Sequence, residues 1–237
     1  MATPAKRAKV LVAEDDPYIQ RFLKSLIEAE GYTYIGAADG LEAWMKFEQD
    51  GESIDIVVTD VRMPHLSGIE LCRRIREVSD VALIAISALD SEDEIVAGLE
   101  AGADDYVTKP LSAAVMSAKL RGALRRSERR LPSQPSELRV GPFVLDAEGR
   151  TLTKHGELLS LTPTEYGVMA YMMHNAGMIL TPAQILGVVW GEEYEDEAQI
   201  LRVALLRLRR KIEEDHSAPR YLTTHVGMGY RFERDPD

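Results

Sequence analysis

The chain has a single cysteine, Cys72, and no long apolar run. One cysteine excludes an internal disulfide, and its spacing with Ile69 and Ile75 suits a buried structural thiol. No stretch approaches the ~20 apolar residues that span a bilayer. Met1 to Lys9 carries no apolar secretion-signal core. The expectation is a cytoplasmic protein without membrane contact. Basic charge is scarce too: 28 Lys and Arg face 39 Asp and Glu, for a net charge of −11. The deficit is even, with 17 basic against 23 acidic residues up to Arg130 and 11 against 16 beyond. Neither half is a generic polyanion binder, so any nucleic-acid contact must use a local basic face. His155, His174, His216 and His225 lack metal-ligand spacing.

What is present is a set of short apolar runs, each ending in a polar residue. Val10–Ala13 precedes Glu14, Asp15 and Asp16. Ile56–Thr59 precedes Asp60, Ala82–Ile86 precedes Ser87, and Tyr106–Thr108 precedes Lys109 and Pro110. The pattern predicts five βα units, with strands near 10–13, 33–37, 54–59, 82–86 and 105–108. Helices are expected near 17–30, 40–50, 67–78, 91–101 and 112–130, the third capped by Ser67 and the fourth by Ser91. A parallel sheet of this kind binds ligands beyond the carboxyl ends of its strands. Asp15 and Asp60 offer hard oxygen ligands for Mg²⁺. Lys109 and Ser87 suit phosphoryl oxygens, by charge and by hydrogen bond. The set fits phosphorylation of a carboxylate, Asp60.

At 237 residues the chain has room for a second domain. The expected division is 1–126, a linker over 127–137 marked by Leu131-Pro132-Ser133-Gln134-Pro135-Ser136, and 138–237. The last part opens with strand-like stretches at Leu138–Leu145, Thr151–Lys154 and Leu158–Leu161. Thr162-Pro163-Thr164-Glu165 and Thr181-Pro182-Ala183-Gln184 are helix starts. A longer helix covers about 197–214, and a terminal hairpin turns at Gly227-Met228-Gly229.

VLVAEDD, VVTDVRMPHLSG, IAISA and AGADDYVTKP resemble the receiver domain of two-component response regulators. LTPTEYGVMAYMM, VVWGEEY, LRLRRKIEED and HVGMGYRF resemble the effector domain of the OmpR/PhoB class. The resemblance implies a five-stranded, parallel, doubly wound (flavodoxin-like) α/β receiver followed by an α+β winged helix-turn-helix. It implies that Asp60 accepts a phosphoryl group from a sensor histidine kinase. Asp15, Asp60 and the Arg62 carbonyl would hold Mg²⁺, with Glu14 acting through water. Ser87 and Tyr106 would be the switch pair, the Lys109-Pro110 bond would be cis, and Arg62 and Leu89 would tune phosphoryl lifetime. Promoter DNA, RNA polymerase and a second copy of the chain would be partners. The chain would be no enzyme beyond assisting its own phosphotransfer and dephosphorylation.

In the helix near 197–214, Leu201, Leu205, Leu208 and Ile212 form one core stripe. Gln199, Ile200, Val203, Leu206, Arg207 and Arg210 are then expected on the opposite face. Arg207 is the expected base contact, and Arg202, Arg209 and Arg210 the expected phosphate contacts. Three features cut against DNA reading. Ile200 and Leu206 are apolar, Val226 stands where many wings carry arginine, and Glu192, Glu193, Glu195, Asp196 and Glu197 crowd the helix start. An alternative follows, in which Ile200, Val203 and Leu206 form a protein-docking face and sequence-specific DNA binding is weak or absent. Glu94 and Val115 also replace a basic residue and a Glu that the family pairs between receivers. Asp104, Asp105, Lys119 and Arg121 are then left to supply part of an ion-pair network, and a weaker or altered dimer is expected.

Overall fold

In a computed structural model, residues 7–88, 92–128 and 137–234 are described. Ser91, Leu89 and linker positions 129–136 lie outside them. The chain divides into two compact units between Leu124 and Arg125.

The first unit is a five-stranded parallel sheet, ordered β2-β1-β3-β4-β5. Its strands are β1 (Lys9–Ala13), β2 (Thr33–Ala37), β3 (Ile56–Asp60), β4 (Ala82–Ala88) and β5 (Asp105–Lys109). Helices α1 (Pro17–Ala29), α2 (Gly40–Asp50), α3 (Gly68–Val78), α4 (Glu92–Glu100) and α5 (Ala113–Glu128) follow the strands in turn. Central β3 is buried along its whole length, which is why it reads as an unbroken apolar run rather than an alternating one. Val10, Val12, Val58, Ile84 and Ile86 pack with Leu23 and Ile27 of α1 and Met116 and Leu120 of α5. Each such buried aliphatic contributes about 1.5–3 kcal/mol. Asp16 caps α1, accepting from Tyr18 N at 2.7 Å, and Ser67 caps α3, accepting from Glu70 N at 3.3 Å.

Strand register positions the polar residues. Ala13 pairs with Thr59, so Glu14 emerges level with Asp60. Asp60 pairs with Ile86, one residue before Ser87, and Lys109 pairs with Ala88.

The second unit is a winged helix. Strands β6 (Glu137–Val140), β7 (Phe143–Asp146), β8 (Thr151–Lys154) and β9 (Glu157–Leu159) form an antiparallel sheet. The single strand expected over 138–145 is in fact a hairpin, because Gly141 takes φ +55 and reverses the chain before Pro142. Helices α6 (Pro163–His174), α7 (Pro182–Val189) and α8 (Ala198–Ile212) follow. Both Thr162/Glu165 and Thr181/Gln184 close reciprocal capping boxes. The terminal hairpin of β11 (Leu222–His225) and β12 (Gly229–Phe232) gains a third strand, β10 (Ile179–Leu180). Phe143 meets Tyr221 and Phe232 edge-on, at 4.9 and 5.5 Å, tying the first sheet to the wing.

Candidate functional site

Asp60 is 6% exposed at the end of β3. Its Oδ1 accepts from the Arg62 backbone N–H at 3.0 Å, and its Oδ2 is held by Lys109 Nζ. Lys109 also reaches Glu14, 3.3 Å from Oε1 and 3.2 Å from Oε2. Burial pulls the lysine down, but the hydrogen bonds and charges of Asp60 and Glu14 together raise it above its usual value. Glu14 is fully buried. Burial first, and then the neighbouring Asp60 charge, push its carboxyl up to about 7. One carboxylate oxygen from each of Glu14, Asp15 and Asp60 lies within 4.8 Å of the others. With all three ionised and Lys109 protonated, the cluster carries two excess negative charges. Buried charge needs compensation, and a hard divalent cation matches both the charge and the donors. The residues therefore fit Mg²⁺.

Ser87 reaches the pocket edge, but its buried hydroxyl donates to Glu94 Oε2 of α4 at 3.3 Å. Glu94 Oε1 also holds the Arg62 guanidinium. Tyr106 is half-buried, its ring 5.4 Å below Lys119 Nζ. The Lys109-Pro110 bond is cis. Gly68 is forced by contact: a Cβ there would lie 1.8 Å from the Asp60 carbonyl oxygen. Sequence spacing gave no signal of the Glu94 bridge, whose partners lie on other elements.

The α8 expectations need correction. Leu201, Leu205, Leu208 and Ile212 are buried as the periodicity required, but so are Ile200, Val203 and Ala204. The buried arc covers more than half the helix, because α8 packs against both α6 and α7. Ile200 (1% exposed) and Val203 (6%) are thus unavailable as a docking face. Arg207 is not positioned to read bases. Its side chain is 11% exposed and pairs at 3.0 Å with Glu165, itself 1% exposed. Lys211 Nζ approaches the same carboxylate at 2.7 Å. The four-residue spacing of Arg207 and Lys211 was the available signal, since it sets both on one face. Arg209 bolts α8 to the wing, donating to Leu222 O at 2.8 Å and Thr224 Oγ1 at 2.7 Å. Arg202 and Arg210 are exposed, with Gln199 and Leu206 half-exposed beside them.

Residues 10–121 match the family described as "Response regulator receiver domain" and residues 156–232 match "Transcriptional regulatory protein, C terminal". The sensory transduction protein RegX3 of Mycolicibacterium smegmatis is 38% identical over 226 residues, covering 94% of this chain and 98% of that one. The transcriptional regulatory protein KdpE of Mycobacterium tuberculosis is 37% identical over 224 residues, covering 94% and 98%. The chain belongs to the OmpR/PhoB class of response regulators. A solved RitR mutant shares the fold, with a TM-score of 0.75 at 20% identity, over 96% of this chain and all of that one. Regulators of this class pair with sensor histidine kinases and bind DNA, and none of the helices described here is long and apolar enough to cross a membrane.

In this regulator three of the charges expected at a receiver dimer contact, Asp104, Asp105 and Lys119, are turned inward, while Arg121 stays exposed. Asp104 is 3% exposed, and its carboxylate takes Arg76 Nη2 at 2.7 Å and the Leu83 N–H at 3.0 Å. Asp105 is fully buried against Lys119 Nζ at 2.7 Å. Arg121 bonds Glu30 through both carboxylate oxygens, at 2.8 and 2.9 Å. Val115 is exposed. On the wing, Val226 is 92% exposed at the tip, with Met228 exposed beside it.

Proposed function

We propose that Asp60 is the phosphoacceptor and that its modification switches promoter binding. The supporting observation is the pairing of Asp60 with Lys109 and the Arg62 N–H inside an acidic cluster. Asp15, Asp60 and the Arg62 carbonyl would hold Mg²⁺, with Glu14 assisting through water. The ion, when bound, offsets repulsion between the carboxylates and an arriving phosphoryl group.

A phosphohistidine on a sensor kinase is the donor in this reading. Lys109, already on Asp60, neutralises the transferred group, which brings about −1.5 to −2 charge in related chemistry. Ser87 turns from Glu94 to a phosphoryl oxygen, and Tyr106 follows into the space released. Helix α4 and strand β5 then shift and alter the surface on which two copies pair. This is a bias on a two-state equilibrium, so some activity persists without phosphate. On DNA, Arg202 and Arg210 face the phosphates, Arg209 holds the wing against α8, and RNA polymerase is contacted from the promoter.

Labelling with a small phosphodonor tests the first half: Asp60→Asn loses phosphate incorporation with its fold retained, and equal labelling of the variant refutes the assignment. Selection from random-sequence duplex at two salt concentrations, with and without beryllofluoride, tests the second. Enriched tandem sites should strengthen with the mimic and weaken with salt. No enrichment in any condition refutes promoter binding.

A further inference from the structure

Glu94 is a carboxylate where the pocket needs none. It lies in the first turn of α4, its side chain 14% exposed. One oxygen holds the largely exposed guanidinium of Arg62, a residue whose backbone N–H donates to Asp60 Oδ1. The other accepts the Ser87 hydroxyl at 3.3 Å. Two groups that flank the acceptor are thereby tied to a negative charge on a helix expected to move. The pocket already contains Glu14, Asp15 and Asp60, so Glu94 adds like charge beside an arriving anion.

We infer that Glu94 is a positioning residue that opposes phosphorylation of Asp60, latching Ser87 and Arg62 in the unmodified state. The inference rests on the reading of Asp60 as acceptor. A phosphoryl group competes with Glu94 for the Ser87 hydroxyl, and like charge sets the cost of the encounter. The latch has two effects. It slows transfer from free anionic donors, leaving a kinase's docked phosphohistidine as the favoured source. It also biases α4 toward the unmodified position, because the first-turn carboxylate is held by two partners.

The test is the labelling rate of the full chain with acetyl phosphate and with phosphoramidate, the less negatively charged donor at neutral pH. In each transfer an Asp60 oxygen bonds to phosphorus as the donor's P–O or P–N bond breaks. The electron pair leaves with acetate or, after protonation of the nitrogen, with ammonia. Glu94→Gln keeps the side-chain size and removes the charge. Acetyl phosphate labelling should rise roughly 3- to 10-fold, and phosphoramidate labelling less, since each factor of ten reflects 1.36 kcal/mol of barrier. Glu94→Asp keeps the charge, and with it most of the slow rate. A merely structural role would alter both donors alike and would leave donor charge irrelevant.

Glu94→Gln rates unchanged, slowed, or raised equally for both donors overturn the latch while Asp60 labelling stands. Labelling that survives Asp60→Asn overturns the acceptor assignment, and the latch with it. Thermal melting of each variant shows whether it is folded. If Glu94→Gln does not fold, Arg62→Ala, which removes the guanidinium that Glu94 binds, is the second variant. It should leave the carboxylate less neutralised and slow acetyl phosphate more than phosphoramidate; an equal or absent effect overturns the latch.

Discussion

Glu165→Gln separates a structural role for Arg207 from a DNA-reading one. Glu165 is 1% exposed and accepts from Thr162 N at 3.0 Å, closing the α6 capping box. It receives Arg207 at 3.0 Å and Lys211 at 2.7 Å. Removing its charge strips the carboxylate from two cations at once. Breaking a buried pair by neutralising one partner costs about 3–5 kcal/mol. Arg207→Met is milder, since Glu165 keeps Lys211, and roughly half that cost is expected. Lys211→Met is milder still, because its side chain is 33% exposed and pairs that water can reach contribute only ~0–1 kcal/mol. With a urea slope near 2 kcal/mol/M, these costs move the midpoint by about 1.5–2.5 M, about 1 M and under about 0.5 M. Trp190 is fully buried in the winged-helix unit and reports its unfolding, with Trp44→Phe removing the only other tryptophan. The folded variants should then bind DNA with unchanged base preference. Arg207→Met with a wild-type midpoint and altered base preference would refute the structural role.

Three further outcomes follow from the geometry. Mg²⁺ should raise the receiver's melting midpoint, by the equivalent of about 2.7 kcal/mol at a hundredfold excess over Kd; Asp15→Asn should blunt the shift, and a midpoint indifferent to Mg²⁺ removes the metal site. Gly68→Ala forces a Cβ to within 1.8 Å of the Asp60 carbonyl, so a loss of about 1–3 kcal/mol and slower labelling are expected; wild-type stability and labelling would show that β3 and α3 can separate freely. Val226→Arg, at a tip 92% exposed, should tighten DNA binding and steepen the slope of log K against log salt by about 0.9; an unchanged slope means the wing does not reach the backbone.

The receiver's architecture is legible because its signals are local. Each polar residue directly follows the strand that positions it, and parallel register then brings Glu14, Asp60, Ser87 and Lys109 to one sheet edge. The caps at Thr162 and Thr181 are legible for the same reason, since partners three residues apart need no tertiary knowledge. Arg207 is not, because its partner Glu165 lies on a different helix. Helical periodicity located the centre of the α8 core stripe near Leu205 but not its width, which depends on contact with both α6 and α7. At two residues, β10 is too short for any alternation to show, and it exists only because β12 offers it a ladder.

The same competition explains where the regulator's acidic side chains turn. A carboxylate cannot serve an inward pair and an outward contact at once. Exposed pairs contribute ~0–1 kcal/mol, whereas leaving a buried charge unpaired costs about 3–5 kcal/mol, so the inward assignment wins. Asp104 goes to Arg76, Asp105 to Lys119, Glu165 to Arg207 and Lys211, and Glu94 to Arg62 and Ser87. Arg76, Lys119, Arg207, Lys211 and Arg62 are engaged in holding those acids. On α8 the exposed cations are Arg202 and Arg210, while Val226 and Met228 stand out on the wing and Val115 on α5. With two exposed cations on α8, the expected salt dependence contributed by that helix is shallow, about −0.9 in log K against log salt for each phosphate contacted.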